Sequence, residues 1–125
     1  MTCQDRVLVV SFLEQAKTLI AQGRITFWSR SKNFATLNRL GLRTSHQLEI
    51  LQELTPDDYC HSVPALQGST EDALVFGSNV DSIEVYIKLK IQVTPAGELL
   101  ICVSFHEAEF PLSYPYRMLE RGGEH

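Results

Sequence analysis

Glu84-Val85-Tyr86-Ile87-Lys88-Leu89-Lys90-Ile91-Gln92-Val93, followed by Thr94-Pro95-Ala96-Gly97 and then Glu98 to His106, is the stretch that decides how this chain folds. Val85, Ile87, Leu89, Ile91 and Val93 alternate with Tyr86, Lys88, Lys90 and Gln92, which is the two-residue period of a strand with one buried face. The return strand alternates too, with Ile101, Val103 and Phe105 on one face and Cys102, Ser104 and His106 on the other. A three-residue turn, Pro95-Ala96-Gly97, joins them, proline opening a type I turn and glycine taking the left-handed position. Thr94 then pairs with Glu98, which sets Tyr86 opposite His106 and Lys88 opposite Ser104 on the less hydrophobic face. A phenol, an imidazole and two ammonium groups share that surface. The set suits acid-base chemistry on a phosphate ester, and it is also what a solvated sheet face carries.

Outward from the hairpin, the N-terminal half reads as helical. Val9, Phe12, Leu13, Ala16, Leu19 and Ile20 recur at helical spacing, and Gly23 stands where a left-handed cap is needed. Ile25-Thr26-Phe27-Trp28 reads as a short strand. Ser31 is expected to cap a helix that buries Phe34, Leu37 and Leu40 and ends at Gly41. Thr44 and Gln47 suggest a capping box opening a third helix with Leu48, Leu51 and Leu54 inward, and Thr55-Pro56-Asp57-Asp58 restarts one helical turn. His61 to Glu71 reads as a loop, marked by Pro64, Gly68, Ser69 and Thr70. Ala73 to Phe76 is an expected strand and Gly77-Ser78-Asn79 an expected turn. Phe110 to Arg117, with two prolines, is expected to run extended along the sheet edge, and residues 118–125 to be a disordered tail. Helices followed by an antiparallel sheet make an α+β domain, and 125 residues make a single one.

Composition narrows the function classes. No apolar run has membrane-spanning length, and the start of the chain does not read as a signal peptide, so a cytoplasmic protein is expected. Cys3, Cys60 and Cys102 form neither a disulfide framework nor a zinc pattern, and no metal or cofactor is expected. The net charge of −4 argues against a protein that coats nucleic acid by bulk electrostatics. Yet Arg24, Arg30, Lys32, Arg39 and Arg43 lie in an acid-free segment, whereas Thr44 to Ile87 holds acids and no Lys or Arg. A basic patch on an acidic protein is one reading of this, and solvated helix and loop faces are the other.

The hairpin with Val85-Tyr86-Ile87-Lys88 and Leu100 to His106, then Ala108-Glu109 and Tyr114-Pro115-Tyr116-Arg117, resembles the motility quorum-sensing regulator (MqsR) family of toxins. The resemblance extends to Gly23-Arg24-Ile25, to the segment from Lys32-Asn33 to Gly41-Leu42, and to Leu54-Thr55-Pro56-Asp57-Asp58-Tyr59. It covers nearly the whole chain and rests on the order and spacing of these pieces. It implies a RelE-like fold, N-terminal helices packed on a small antiparallel sheet, and a metal-independent endoribonuclease acting on messenger RNA and restrained by a cognate antitoxin. In the best-known type, two lysines, a glutamine and a tyrosine carry cleavage. Tyr86 falls on the tyrosine, His61 and His106 on the lysines, and Ala73 on the glutamine. An ordinary imidazole titrates near ~6.5, so histidines are better proton shuttles than lysines but poorer fixed cations.

On this reading His61 and His106 transfer protons, Tyr86 donates to a phosphate oxygen and Lys88 supplies charge, while Arg30, Lys32, Lys90 and Arg117 hold the substrate. Glu107 and Glu109 flank the site and are expected to hold an arginine or the C-terminal tail rather than face phosphate. Trp28 with Phe27, beside Arg30 and Lys32, offers a surface on which a base stacks, although a tryptophan in a short strand usually packs into the core. His46 is expected on the surface. The competing reading is a non-catalytic module of the same fold that docks a protein partner through the basic segment or the sheet edge.

Overall fold

The computed structural model of the chain describes residues 3–65 and 71–117. Gly68, Ser69 and Thr70 and the expected tail 118–125 lie outside the described residues. Helix α1 (Cys3–Ala21) ends at Gly23, whose φ of 73° is the left-handed conformation the sequence led us to expect. Strand β1 (Ile25–Phe27), α2 (Ser31–Leu40) and α3 (Thr44–Gln52) follow, then a single 3-10 turn at Pro56–Asp58. The remaining strands are β2 (Tyr59–Val63), β3 (Ala73–Val80), β4 (Ile83–Thr94) and β5 (Gly97–Glu107).

The sheet order is β1-β5-β4-β3-β2. β2 to β5 are antiparallel neighbours and β1 alone runs parallel, against β5, so the sheet is mixed. Helices first and sheet after gives the α+β class, consistent with a RelE-like fold. Val9, Leu13, Ala16 and Leu19 of α1 pack with Leu51, Leu54, Phe76, Ile87, Leu89 and Phe105 on one sheet face. Each valine, leucine, isoleucine or phenylalanine of this set contributes ~1.5–3 kcal/mol on burial, and Ala16 less.

Several local expectations are overturned. His61 lies in β2 rather than in a loop. β3 runs straight through Gly77, and the reversal comes at Asp81 and Ser82, whose φ angles of 52° and 67° make the two-residue hairpin turn that matches strand twist. Ser31 is the first residue of α2, not its cap, which is Arg30. In α3 the reciprocal side-chain contact comes from His46, whose Nδ1 accepts the Arg43 N–H at 3.0 Å, while Gln47 is buried.

The hairpin itself departs twice from the expected register, and the departures cancel. Thr94 pairs with Gly97, not Glu98, so the turn is two residues, Pro95 and Ala96. A bulge then restores the predicted pairing, because Leu89 faces Cys102 while Lys88 faces Ser104, leaving Val103 as the extra residue. Turnward of the bulge the faces are therefore exchanged from those expected: Leu100 and Cys102 point into the core, and Ile101 is opposite Lys90. Asn33 satisfies the interrupted ladder. Its Nδ2 donates to the Val103 and Trp28 carbonyls at 3.3 and 3.1 Å, and its Oδ1 accepts the Phe105 N–H at 3.0 Å. Thr36 Oγ1 accepts the Glu107 N–H at 2.8 Å. Helix α2 thus covers the β5 edge beyond β1 with polar groups, which explains why it buries Asn33 and Thr36 and leaves Phe34 56% exposed.

Candidate active site

The face opposite the α1 core carries the predicted chemistry in two neighbouring rows. One row crosses β2 to β5 as His61, Val75, Lys88 and Ser104, and the next holds Gly77, Tyr86 and His106. Strand spacing sets the His61 and His106 backbones ~16 Å apart, three strand steps across and two residues along. Their side chains nevertheless converge on one cavity of about 370 Å³, lined also by Tyr86, Lys88, Ser104 and Arg30. His61 was assigned from the sequence to a loop; its place in this cavity follows from β2.

Tyr86 and His106 stack across the hairpin, ring centroids 5.1 Å apart and planes 15° from parallel. His106 Nδ1 lies 3.0 Å from the Glu107 carbonyl oxygen. A carbonyl oxygen only accepts, so this contact selects the tautomer protonated on Nδ1 and leaves the Nε2 lone pair for an incoming proton. Burial raises the Tyr86 pKa, with Cys60 adding to the rise and Arg30 opposing it, so the side chain stays a phenol that donates. Burial lowers the Lys88 pKa, and the Arg30 guanidinium lowers it further, which brings the ammonium closer to giving up its proton. Arg30 Nη1 donates to Ser104 Oγ at 3.2 Å and is thereby held over the Lys88 row.

The remaining cations divide. Lys32 pairs with Glu109 at 2.9 Å, holding that exposed carboxylate below its ordinary range, and Arg39 pairs with Glu107 at 3.1 Å. Both acids beside His106 are thus partnered: Glu107 by an arginine, as expected, and Glu109 by a lysine rather than by an arginine or the tail. Arg117 pairs with Asp58 at 2.8 Å and stacks on Tyr114 at 4.0 Å, outside the cavity lining. Lys90 lies in an adjoining cleft, its Nζ 5.3 Å from the centre of the Trp28 ring. Trp28 is 45% exposed, which overturns the expectation that it packs into the core.

One wall of the cavity was not foreseen. Residues 108–117 do not follow the sheet edge; Phe110, Pro111 and Leu112 line the cavity and Tyr114 crosses the sheet face over Gly77. Glu84 anchors this strap by accepting the Leu112 N–H at 3.1 Å and the Tyr114 hydroxyl at 2.7 Å. Residues 115–117 enter a helical turn, and Tyr116, fully buried, stacks on Tyr59 in the core at 5.4 Å. The signal in the sequence was Gly77, where an added Cβ would sit 2.1 Å from the Tyr114 hydroxyl. A strand glycine marks a close approach as readily as a turn.

The family model described as "Motility quorum-sensing regulator, toxin of MqsA" matches residues 2–107. The chain belongs to this toxin family. Membership of the motility quorum-sensing regulator family makes it a toxin of a toxin-antitoxin system, with an antitoxin of the MqsA kind as the implied partner. No curated protein matches the chain. Among the described residues no helix is long and apolar enough to cross a membrane. The match ends at Glu107, so within this motility quorum-sensing regulator toxin the strap that walls the cavity lies beyond the matched region.

Proposed function

We propose that this toxin is an endoribonuclease that cuts messenger RNA in the cytoplasm, acting as one RelE-like domain and without a metal ion. The observation that carries the reading is the convergence of His61, Tyr86, Lys88 and His106 with Arg30 on one cavity. His106 Nε2 takes the proton of a ribose 2′-hydroxyl, and the 2′-oxygen attacks the adjoining phosphorus. Lys88 and Arg30 offset the charge that gathers on the phosphate oxygens, and Tyr86 donates a hydrogen bond to one of them. The bond to the 5′-oxygen breaks as His61, facing His106 across the cavity, delivers a proton to it. The products are a 2′,3′-cyclic phosphate and a 5′-hydroxyl end. Cleavage needs only proton transfers and positive charge from the chain.

The test is the purified toxin, free of antitoxin, on a long messenger RNA with and without excess EDTA, with the new ends mapped chemically. Cyclic phosphate ends in both conditions are expected. Intact RNA in both would leave the toxin acting by binding alone, the competing module reading; cleavage abolished by EDTA would remove the metal-free mechanism.

A further inference from the structure

We propose that the cleft bounded by Trp28 and Lys90 is a nucleobase subsite that stacks the base next to the phosphate being cut. The inference rests on the ribonuclease reading and names where its single-stranded substrate is held.

Two observations place the subsite. The cleft, about 670 Å³, shares Arg30 and Lys88 with the catalytic cavity, so the two are continuous along β4. Lys90 is two residues from Lys88 on the same strand face, a displacement of ~7 Å. The floor is apolar, with Val103 and Ala73, and Trp28 stands at the β1 side facing Val63 at the β2 side. A cleft with cations toward the cut site and an aromatic wall beyond them fits one nucleotide, with its phosphate on Arg30 and Lys88 and its base on the indole.

Trp28 is built to be available. Its backbone is fixed, the N–H donating to the Cys102 carbonyl at 3.0 Å and the carbonyl accepting from Asn33 Nδ2 at 3.1 Å, while its side chain stays substantially exposed. The Lys90 ammonium over the ring holds the place of the guest. An exposed cation–π contact is weaker than base stacking, and the flexible lysine stem lets the ammonium move from ring to phosphate as a base enters. Glu71 on the cleft wall disfavours a phosphate there and supports the base-inward orientation.

Trp28 is the chain's single tryptophan, so all tryptophan fluorescence comes from the aromatic wall of this cleft. The wild-type toxin is titrated with a 2′-O-methyl oligoribonucleotide, which binds but cannot be cut, and with the same oligonucleotide carrying abasic sites. We expect saturable quenching by the first and binding about tenfold or more weaker for the second, the loss set by one stacked base. Trp28→Ala should raise KM for a cleavable RNA by a similar factor with kcat nearly unchanged, and Trp28→Phe should recover most of the loss. Quenching without cleavage by wild type would sustain the subsite and sink the ribonuclease reading. Cleavage with unaltered KM in Trp28→Ala, or equal binding of the abasic probe, overturns the subsite and leaves the ribonuclease standing. Neither cleavage nor quenching overturns both.

Discussion

The Tyr86 phenol ring and the His106 imidazole lie against each other, 5.1 Å between centroids, across the β4–β5 pairing. A cross-strand aromatic pair of this kind contributes ~0.2–1 kcal/mol to folding. The same imidazole, held by the Glu107 carbonyl with Nε2 open to the cavity, carries far more of the proposed chemistry than of the stability. The two roles separate in a mutant.

His106→Ala should lower RNA cleavage by ~10²–10⁴, the usual loss of a positioned acid or base, and shift the thermal midpoint only slightly. Single-turnover cleavage and melting of the same preparations measure both. Wild-type rates in the mutant would take His106 out of the mechanism.

On the proposed mechanism, Lys88 sets the alkaline side of the reaction. Its pKa is lowered by burial and by Arg30, so it loses its charge at a lower pH than an ordinary lysine, and the rate should fall there as pH rises. Burial shifts Tyr86 the other way, so it holds its proton to higher pH than an ordinary tyrosine. Lys88→Arg, whose charge persists, should extend activity to higher pH. A pH–rate profile with the same alkaline limb in both proteins would assign that limb to another group.

Stability should decline in alkali. Burial pushes the Cys60 and Cys102 thiols from 9.0 up to about 12, and the Tyr114 hydroxyl is raised as well. Raised groups hold their protons more tightly when folded, so their contribution is complete below pH 9.0 and is lost as pH climbs through about 12. Lys88, shifted the other way, opposes this without matching the two thiols. Urea midpoints measured across this range should fall, and more gently in Cys102→Ala. A flat profile in wild type contradicts the burial of these thiols.

Gly77→Ala should dislodge the strap, since the new Cβ would stand 2.1 Å from the Tyr114 hydroxyl. Overpacking of this kind costs ~1–3 kcal/mol. Faster proteolysis within residues 110–117 is the expected sign, together with altered cleavage because Phe110 to Leu112 wall the cavity. Unchanged protease resistance would mean that Tyr114 adapts in place.

The alternation of Val85 to Val93 made the central strand and its inward face legible from residues alone. The Tyr86–His106 pairing was also legible, although through a turn one residue too long and without the bulge that compensates for it. What escaped depends on contacts distant in sequence. Gly77 reads as a turn until Tyr114 is placed over it, and His61 reads as loop until Val75 supplies its partner. Trp28 reads as core because its size suggests burial, whereas Asn33 and Thr36 take the inner side of the neighbouring helix to complete the β5 edge. Of the site residues read from the sequence, Arg30, His61, Tyr86, Lys88 and His106 meet in one cavity, Lys90 joins through the adjoining cleft, and Lys32 and Arg117 are engaged by acids.

The extra residue at Val103 behaves as an expansion joint. With it, the core takes even-numbered positions of β5 on the turn side and odd-numbered ones beyond. Delete it, and Leu89 opposite Cys102 runs directly into Lys88 opposite Ser104 with every other pair retained. Loss of a residue anywhere else between Cys102 and His106 would instead turn side chains to the wrong face unless the joint closed to absorb it. Change in the length of this strand is therefore tolerated at one place, two rungs short of the Tyr86–His106 pair, and a β5 shorter by that one residue would keep tyrosine and histidine face to face.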